Sequence, residues 1–140
     1  MVPPGPPLDD DEYARLLAFR VGLRQFLRWS AEQAATVGLT PAQHQLLLAI
    51  RGHGDPLGPS VGDLAGYLCT RHHSAVQLID RTEQLGLVSR TRVDGADRRI
   101  VRLTLTAAGT EKLAQLSAAH LEELRRLAPL LDALLEPADN

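Results

Sequence analysis

The stretch Ser60–Thr106 decides the fold, and it reads SVGDLAGYLCTRHHSAVQLIDRTEQLGLVSRTRVDGADRRIVRLTLT. Its first half predicts two short helices, about 61–68 and about His73–Leu85, with a break of a few residues at Cys69–His72. Gly86 follows the second helix and favours the left-handed backbone with which many helices end. Two helices joined by so short a break predict a helix-turn-helix.

The second half of the stretch predicts a β-hairpin. Strands at Leu87–Val93 and Arg99–Thr106 flank a turn of the type Asp-Gly-Ala-Asp at 94–97. A short helix, a tight turn, a second helix and an arginine-rich hairpin are the parts of a winged helix-turn-helix. In that fold the second helix enters the major groove of DNA, and the hairpin reaches the neighbouring minor groove.

Helices are also predicted on both sides of this stretch. The acidic run Asp9–Glu12 suits the start of a long helix that ends near Gly38. Thr40 can cap a further helix, 41–53, in which proline takes the first position. Leucines at helical spacing continue over 106–135, where Pro129 is expected to kink or restart the helix. Ser60 and Asp63 form a shortened capping box, and Val76, Ile79 and Leu85 are expected on an inner face.

Charge is distributed unevenly along the chain. Residues 71–102 hold seven arginines and four acidic residues, a net charge of +3 in a chain whose total is −2. A locally basic segment on an acidic body suits phosphate binding, because counterion release depends on the contacting face and not on the total. A solvated arginine-rich hairpin without a partner is the alternative.

Composition disfavours several other classes of protein. Cys69 is the one cysteine, so an intrachain disulfide is excluded and a reducing compartment is indicated. No signal peptide is evident, and no apolar run approaches the ~20 residues that span a bilayer, so we expect a cytoplasmic protein. The sequence shows no phosphate-binding glycine loop, nucleophile elbow or Cys/His cluster. We therefore expect no enzyme, no cofactor and no metal.

In its motifs the chain resembles the multiple-antibiotic-resistance regulator (MarR) family. The resemblance covers nearly the whole chain after residue 10, and it rests on the order and spacing of fragments that are each weak alone. These fragments are Leu39-Thr40-x-x-Gln43, Leu64-Ala65-x-x-Leu68, His73-Ser74-Ala75-Val76, Ile79-Asp80-Arg81, Leu85-Gly86-Leu87-Val88, Asp97-Arg98-Arg99 and Leu103-Thr104-Leu105-Thr106-x-x-Gly109. Ala96 departs from the family, which often has arginine there, and so does the run Arg71-His72-His73, which replaces small polar residues.

The resemblance implies a homodimer with intertwined first and last helices that binds a pseudo-palindromic operator. Repression relieved by a small-molecule effector is the expected mode of action. We expect mainly α structure with a small β-hairpin wing: a winged helix-turn-helix with long terminal dimerisation helices. The tail 1–8 is expected to be disordered and 9–140 to be a single domain, with dimerisation helices at 9–38 and 106–140 and a DNA-binding lobe at 39–105.

The residues expected to contact DNA lie on the second helix of the helix-turn-helix and on the wing. They are Arg71, His72, His73, Ser74, Gln77, Arg81, Arg90, Arg98 and Arg99. Arg99 is the preferred minor-groove residue, because a guanidinium is more weakly hydrated than an ammonium. Asp97 is expected to hold the wing through an ion pair, and Asp80 to pair with its neighbour Arg81 and brace the helix.

Several alternatives stay open. Phe19, Phe26, Trp29 and His44 are candidates for an effector pocket, although the spacing of the three aromatic residues equally suits a dimer core. The pair His72-His73 suits DNA contact, a solvated helix start or a metal site, and a zinc-responsive regulator is an alternative for which no ligand set is legible. A winged-helix module that binds proteins and not DNA is another, and the wing arginines argue against it.

Overall fold

The computed structural model describes residues 2–94 and 99–137, and this part of the chain forms helices and one hairpin. The helices and strands, in chain order, are α1 (Asp10–Thr36), α2 (Pro41–Gly52), α3 (Val61–Tyr67), α4 (His72–Gln84), β1 (Val88–Asp94), β2 (Arg99–Leu105) and α5 (Ala107–Leu135). The mainly helical class with a two-stranded hairpin is confirmed.

The predicted caps set the starts of α2 and α3. The Thr40 hydroxyl accepts from the Gln43 amide over 3.1 Å, and the Gln43 side chain accepts from the Thr40 amide over 3.0 Å. Ser60 and Asp63 make the same reciprocal pair of bonds at α3. Both helices therefore begin at a residue whose side chain satisfies an amide that the helix leaves unbonded.

The hairpin is antiparallel and is extended by one further contact. Its register runs from Val88 opposite Leu105 to Asp94 opposite Arg99. The Leu103 amide donates to the Pro59 carbonyl over 2.9 Å, which ties the chain before α3 to β2. Gly58 has a φ of 88°, and a Cβ there would lie 2.1 Å from the Leu103 carbonyl oxygen. Glycine is therefore required where these two segments meet.

By its contacts the chain divides into two compact units, 31–117 and the pair of segments 1–30 and 118–140. The unit 31–117 contains the winged helix and a single apolar cluster. The most buried members of the cluster are Ala34, Leu39, Leu46, Leu47, Ile50, Leu64, Ile79, Leu87, Val88, Leu103, Leu113 and Leu116. Every helix and strand of the winged helix contributes to it, so the cluster fixes α4 relative to the hairpin.

The other unit packs the first part of α1 against the last part of α5. A Cβ at Gly22 would lie 2.8 Å from Leu130 and 3.0 Å from Leu127, so the helices approach closely there. Arg15 Nη1 donates to the Ala133 carbonyl over 2.8 Å. Large apolar side chains stay exposed along both helices: Tyr13, Leu16, Leu17, Val21, Leu27, Leu121, Leu124, Leu131 and Leu135.

One expectation about the helices is wrong, and another is narrowed. Leu85 is exposed, because it is the C-cap of α4 and the chain turns away at Gly86, where φ is 76°. Of the kink or restart predicted at Pro129, the restart does not occur, because α5 runs unbroken to Leu135. Pro129 lies on the exposed side, where water can satisfy the carbonyl that proline leaves without a donor. No helix in the described ranges is long and apolar enough to cross a membrane.

Candidate nucleic-acid interface

Helix α4 has an apolar inner face and a polar outer face. Ala75, Ile79 and Thr82 are buried, and the Thr82 hydroxyl donates to the Leu78 carbonyl over 2.7 Å, so its burial leaves no hydroxyl unsatisfied. His73 and Gln77 lie four positions apart and are both exposed. The outer face therefore presents hydrogen-bonding side chains that the core does not need.

The start of α4 carries a group of basic and imidazole side chains. Arg71 is the N-cap and makes no side-chain capping bond, in contrast to Thr40 and Ser60. His72 and His73 follow in the first turn, and all three side chains at 71–73 are exposed. The structure thus places three of the predicted contact residues together at one end of this helix.

A cleft of about 330 Å³ between α2 and α4 brings together three more of the predicted residues. Ser74, Gln77 and Arg81 line it from α4. Gln45 lines it from α2, and Thr70 from the turn before α4. Neither Gln45 nor Thr70 was singled out in the sequence, because nothing in the local pattern shows that α2 passes this flank of α4.

Arg90 on β1 is held by two carboxylates of α4. Its Nη1 donates to Glu83 Oε1 over 2.7 Å, and its Nη2 donates to the Asp80 carboxylate. Burial alone would lower the pKa of Arg90, but the hydrogen bond to Asp80 and the charges of Glu83 and Asp80 outweigh it, so the pKa is raised. The expected pairing of Asp80 with Arg81 is corrected, since the structure pairs Asp80 with Arg90 across two elements.

The tip of the wing lies partly outside the described residues. Asp97 and Arg98 fall in the undescribed segment. The backbone of Arg99 begins β2 opposite Asp94, and its side chain is not described. The roles given to these residues, ion pairing for Asp97 and DNA contact for Arg98 and Arg99, remain predictions.

Two of the four candidates for an effector pocket come together with His120, a histidine outside the predicted set. The rings of Phe26 and Trp29 have centroids 6.1 Å apart, and the His120 ring lies 6.0 Å and 4.7 Å from them. Ser30 Oγ lies 2.8 Å from His120 Nε2. Phe19 is half-buried earlier on α1, and His44 is buried in α2 within the unit 31–117.

Metal-binding side chains do not cluster in the part of the chain that the structure describes. No group of three or more His, Cys, Asp or Glu side chains there is placed to hold an ion. His53 contacts Tyr67 instead, with 2.6 Å between its Nδ1 and the phenolic oxygen.

These elements define a winged helix-turn-helix protein. The comparisons agree with this class. Residues 37–100 match the model of the MarR family. AbsC, a MarR family transcriptional regulator from Streptomyces coelicolor, is 20% identical and has a TM-score of 0.69, with 88% of this chain and 82% of AbsC covered.

Two further solved structures share the fold over most of their length. RV1404 from Mycobacterium tuberculosis is 21% identical with a TM-score of 0.70, covering 95% of this chain and 94% of its own. MepR from Staphylococcus aureus, solved as a complex with DNA, is 20% identical with a TM-score of 0.68, covering 80% and 78%. No curated protein matches the sequence. The resemblance to the MarR family that the motifs indicated is confirmed over residues 37–100.

Proposed function

We propose that this chain is a transcriptional regulator that binds a pseudo-palindromic operator as a homodimer. The observation that carries the proposal is the outer face of α4, on which exposed His73 and Gln77 stand opposite the buried residues. Exposed Arg71 at the N-cap and Arg81 in the last turn add positive charge to the same helix. A polar and basic helix face of this kind suits the major groove. The similarity to MepR, whose structure was solved with DNA, supports the same interpretation.

The contacts divide by role. Arg71 and Arg81 are the residues we expect on phosphates, where they set position without reading sequence. His73 and Gln77 are those we expect on base edges. Arg98 and Arg99 are proposed to place the wing in the minor groove, with Asp97 holding its shape. Because DNA is its proposed partner, we place the protein in the cytoplasm.

The homodimer is supported by the exposed leucines of α1 and α5. Many large apolar side chains exposed to water are unfavourable, and a second copy of the chain would cover them. Operator binding by such a dimer is proposed to repress, and a small molecule is proposed to relieve repression. The cluster of Phe26, Trp29 and His120 is the candidate effector pocket, and a role in the dimer core remains the alternative.

The first experiment is fluorescence anisotropy on DNA that flanks the gene of this protein, against random competitor, over a salt series. We expect selective binding that weakens steeply with salt, because bound arginines displace counterions. The double variant His73→Ala/Gln77→Ala should lose about 1–3 kcal/mol per base contact. Gln115→Ala, an exposed glutamine on α5, is the matched control and should bind like the wild type.

Two outcomes would contradict the proposal. One is wild-type binding no tighter to any sequence, including sequences selected from a random pool, than to competitor. The other is an unchanged affinity and sequence preference in the double variant, which would remove α4 from the interface.

A further inference from the structure

The flank of α4 towards β1 is acidic. Asp80 and Glu83 lie three positions apart, and 51% of the Asp80 side chain and 39% of the Glu83 side chain remain exposed. In the proposed complex α4 lies in the major groove, with a phosphate backbone on either side. Two bare carboxylates in that position would be repelled by the DNA.

Arg90 supplies a counter-charge to both carboxylates. Its two terminal nitrogens are each bonded to a different acid, and its side chain is 28% exposed. A planar guanidinium can bridge two carboxylates in this way, whereas the single ammonium of lysine is a compact point charge. The contact joins residues seven and ten positions apart in the chain, so it also fastens β1 to α4.

These two ion pairs distinguish Arg90 from the other arginines expected at the interface. Arg71 and Arg81 are exposed, while Arg90 is largely covered and lies between Asp80 and Glu83. For Arg90 to bind a phosphate it would have to leave both carboxylates uncovered beside the DNA. The attraction between Arg90 and the phosphate would then be offset by the repulsion between the two carboxylates and the DNA.

Given the proposed DNA-binding function, on which this inference rests, we propose that Arg90 is a positioning residue that does not touch DNA. It shields Asp80 and Glu83 from the phosphate backbones and holds the first strand of the wing against α4. Asp80 and Glu83 therefore take part in DNA binding as the acids that keep Arg90 in place.

A mutant cycle tests this role. Operator affinity is measured for wild type, Arg90→Gln, Asp80→Asn/Glu83→Gln and the combined variant. We expect Arg90→Gln to weaken binding roughly tenfold when both acids are present, because they are then unshielded. In the background without the acids, the same change should alter affinity less than about threefold. Arg81→Gln is the matched control on the same helix, and it should weaken binding equally in both backgrounds.

Salt dependence separates shielding from a purely structural role. Dissolved salt screens the repulsion between the carboxylates and DNA, so the loss in Arg90→Gln should shrink as salt rises. A loss that stays constant with salt would mean that Arg90 acts through the fold alone. An equal loss from Arg90→Gln in both backgrounds would make it a direct phosphate ligand, and no loss in the wild-type background would also overturn the proposal.

Folding and function are checked in the same series. Thermal unfolding is recorded for each variant, and if Arg90→Gln does not fold, Arg90→Lys replaces it in the cycle. Lysine keeps the positive charge but cannot bridge both carboxylates. Arg90→Lys should therefore lower operator affinity less than Arg90→Gln when Asp80 and Glu83 are present, and should not lower it in the Asp80→Asn/Glu83→Gln background. Wild-type protein that binds no DNA refutes the proposed function itself, and the shielding role with it. Normal wild-type binding with a failed cycle refutes this inference alone.

Discussion

Ser60 and Asp63 hold the start of α3 through two reciprocal hydrogen bonds. We expect Ser60→Ala to lower the free energy of unfolding by about 1 kcal/mol, because the Asp63 amide loses its partner. Urea denaturation measures the change. Ser117→Ala is the control, since its hydroxyl bonds a carbonyl within α5 and alanine suits a helix interior at least as well. An equal loss in both variants would contradict the capping argument.

Asp63 also gives the fold a defined response to acid. The Ser60 backbone amide and then the Ser60 side chain lower its pKa, with smaller contributions from His53 and Arg102. A carboxyl whose pKa is lower folded than unfolded stabilises the protein above the unfolded pKa, and this contribution is lost as pH falls through the folded pKa.

The expected signature is a pH-dependent difference between wild type and Asp63→Asn. The stability advantage of the wild type should be full near pH 6 and should decline below about pH 4. Urea titrations at a series of pH values check it. A difference that stays constant down to about pH 2.5 would show that the charge of Asp63 does not contribute.

At the level of elements, the start of α5 packs tightly against Leu87, in the short segment between α4 and β1. A Cβ at Gly109 would lie 2.0 Å from the Leu87 carbonyl oxygen, which already accepts from the Thr106 amide. Gly109→Ala should therefore destabilise the protein by about 3 kcal/mol, because backbone has to move. Gly66→Ala in α3 is the control: beyond the chain neighbours and the local helix backbone, no atom lies within 4 Å of a Cβ built there, and helix propensity predicts a gain of up to about 1 kcal/mol. Similar thermal unfolding of the two variants would refute the close approach.

Most elements were predictable because their ends carry local signals. Thr40, Ser60 and Gly86 mark helix boundaries through their own backbones or through residues within three positions. Leu85 was misjudged because helical periodicity assumes that the helix continues, whereas the chain leaves α4 at that residue. The sequence left open whether the helix restarts at Pro129, because exposure of its helix face, which allows proline to be tolerated, is a property of the packed structure.

At the level of the whole molecule, the main prediction is that two copies of the chain form a dimer. Leu17 is 62% exposed on α1, and in the proposed dimer a second copy would cover it. Leu17→Glu should therefore shift the protein from dimer to monomer, as measured by light scattering after size exclusion. Leu57→Glu, at a leucine 52% exposed in the loop before α3, should leave the mass unchanged. A dimer that survives Leu17→Glu would place the contact elsewhere.

The candidate site was predictable only in part, because some of its residues are brought together by the path of the whole chain and not by local spacing. His73 and Gln77 are adjacent on one helix face, so spacing alone brings them together. Arg90, Asp80 and Glu83 meet because the chain reverses after Gly86 and lays β1 along α4, and no local pattern encodes that path. His120 joins Phe26 and Trp29 from the other end of the chain, 91 positions beyond Trp29, which a helical repeat cannot indicate.

Cys69 gives the protein a built-in attachment point. It is the one cysteine of the sequence, it is exposed, and its backbone has a φ of 51° in the turn between α3 and α4. A maleimide fluorophore would therefore label every molecule at the same position without any engineering. Because that position is two residues from Arg71, a small dye should change brightness when DNA arrives, whereas a bulky label should hinder docking. The same thiol therefore takes either a reporter or a blocker.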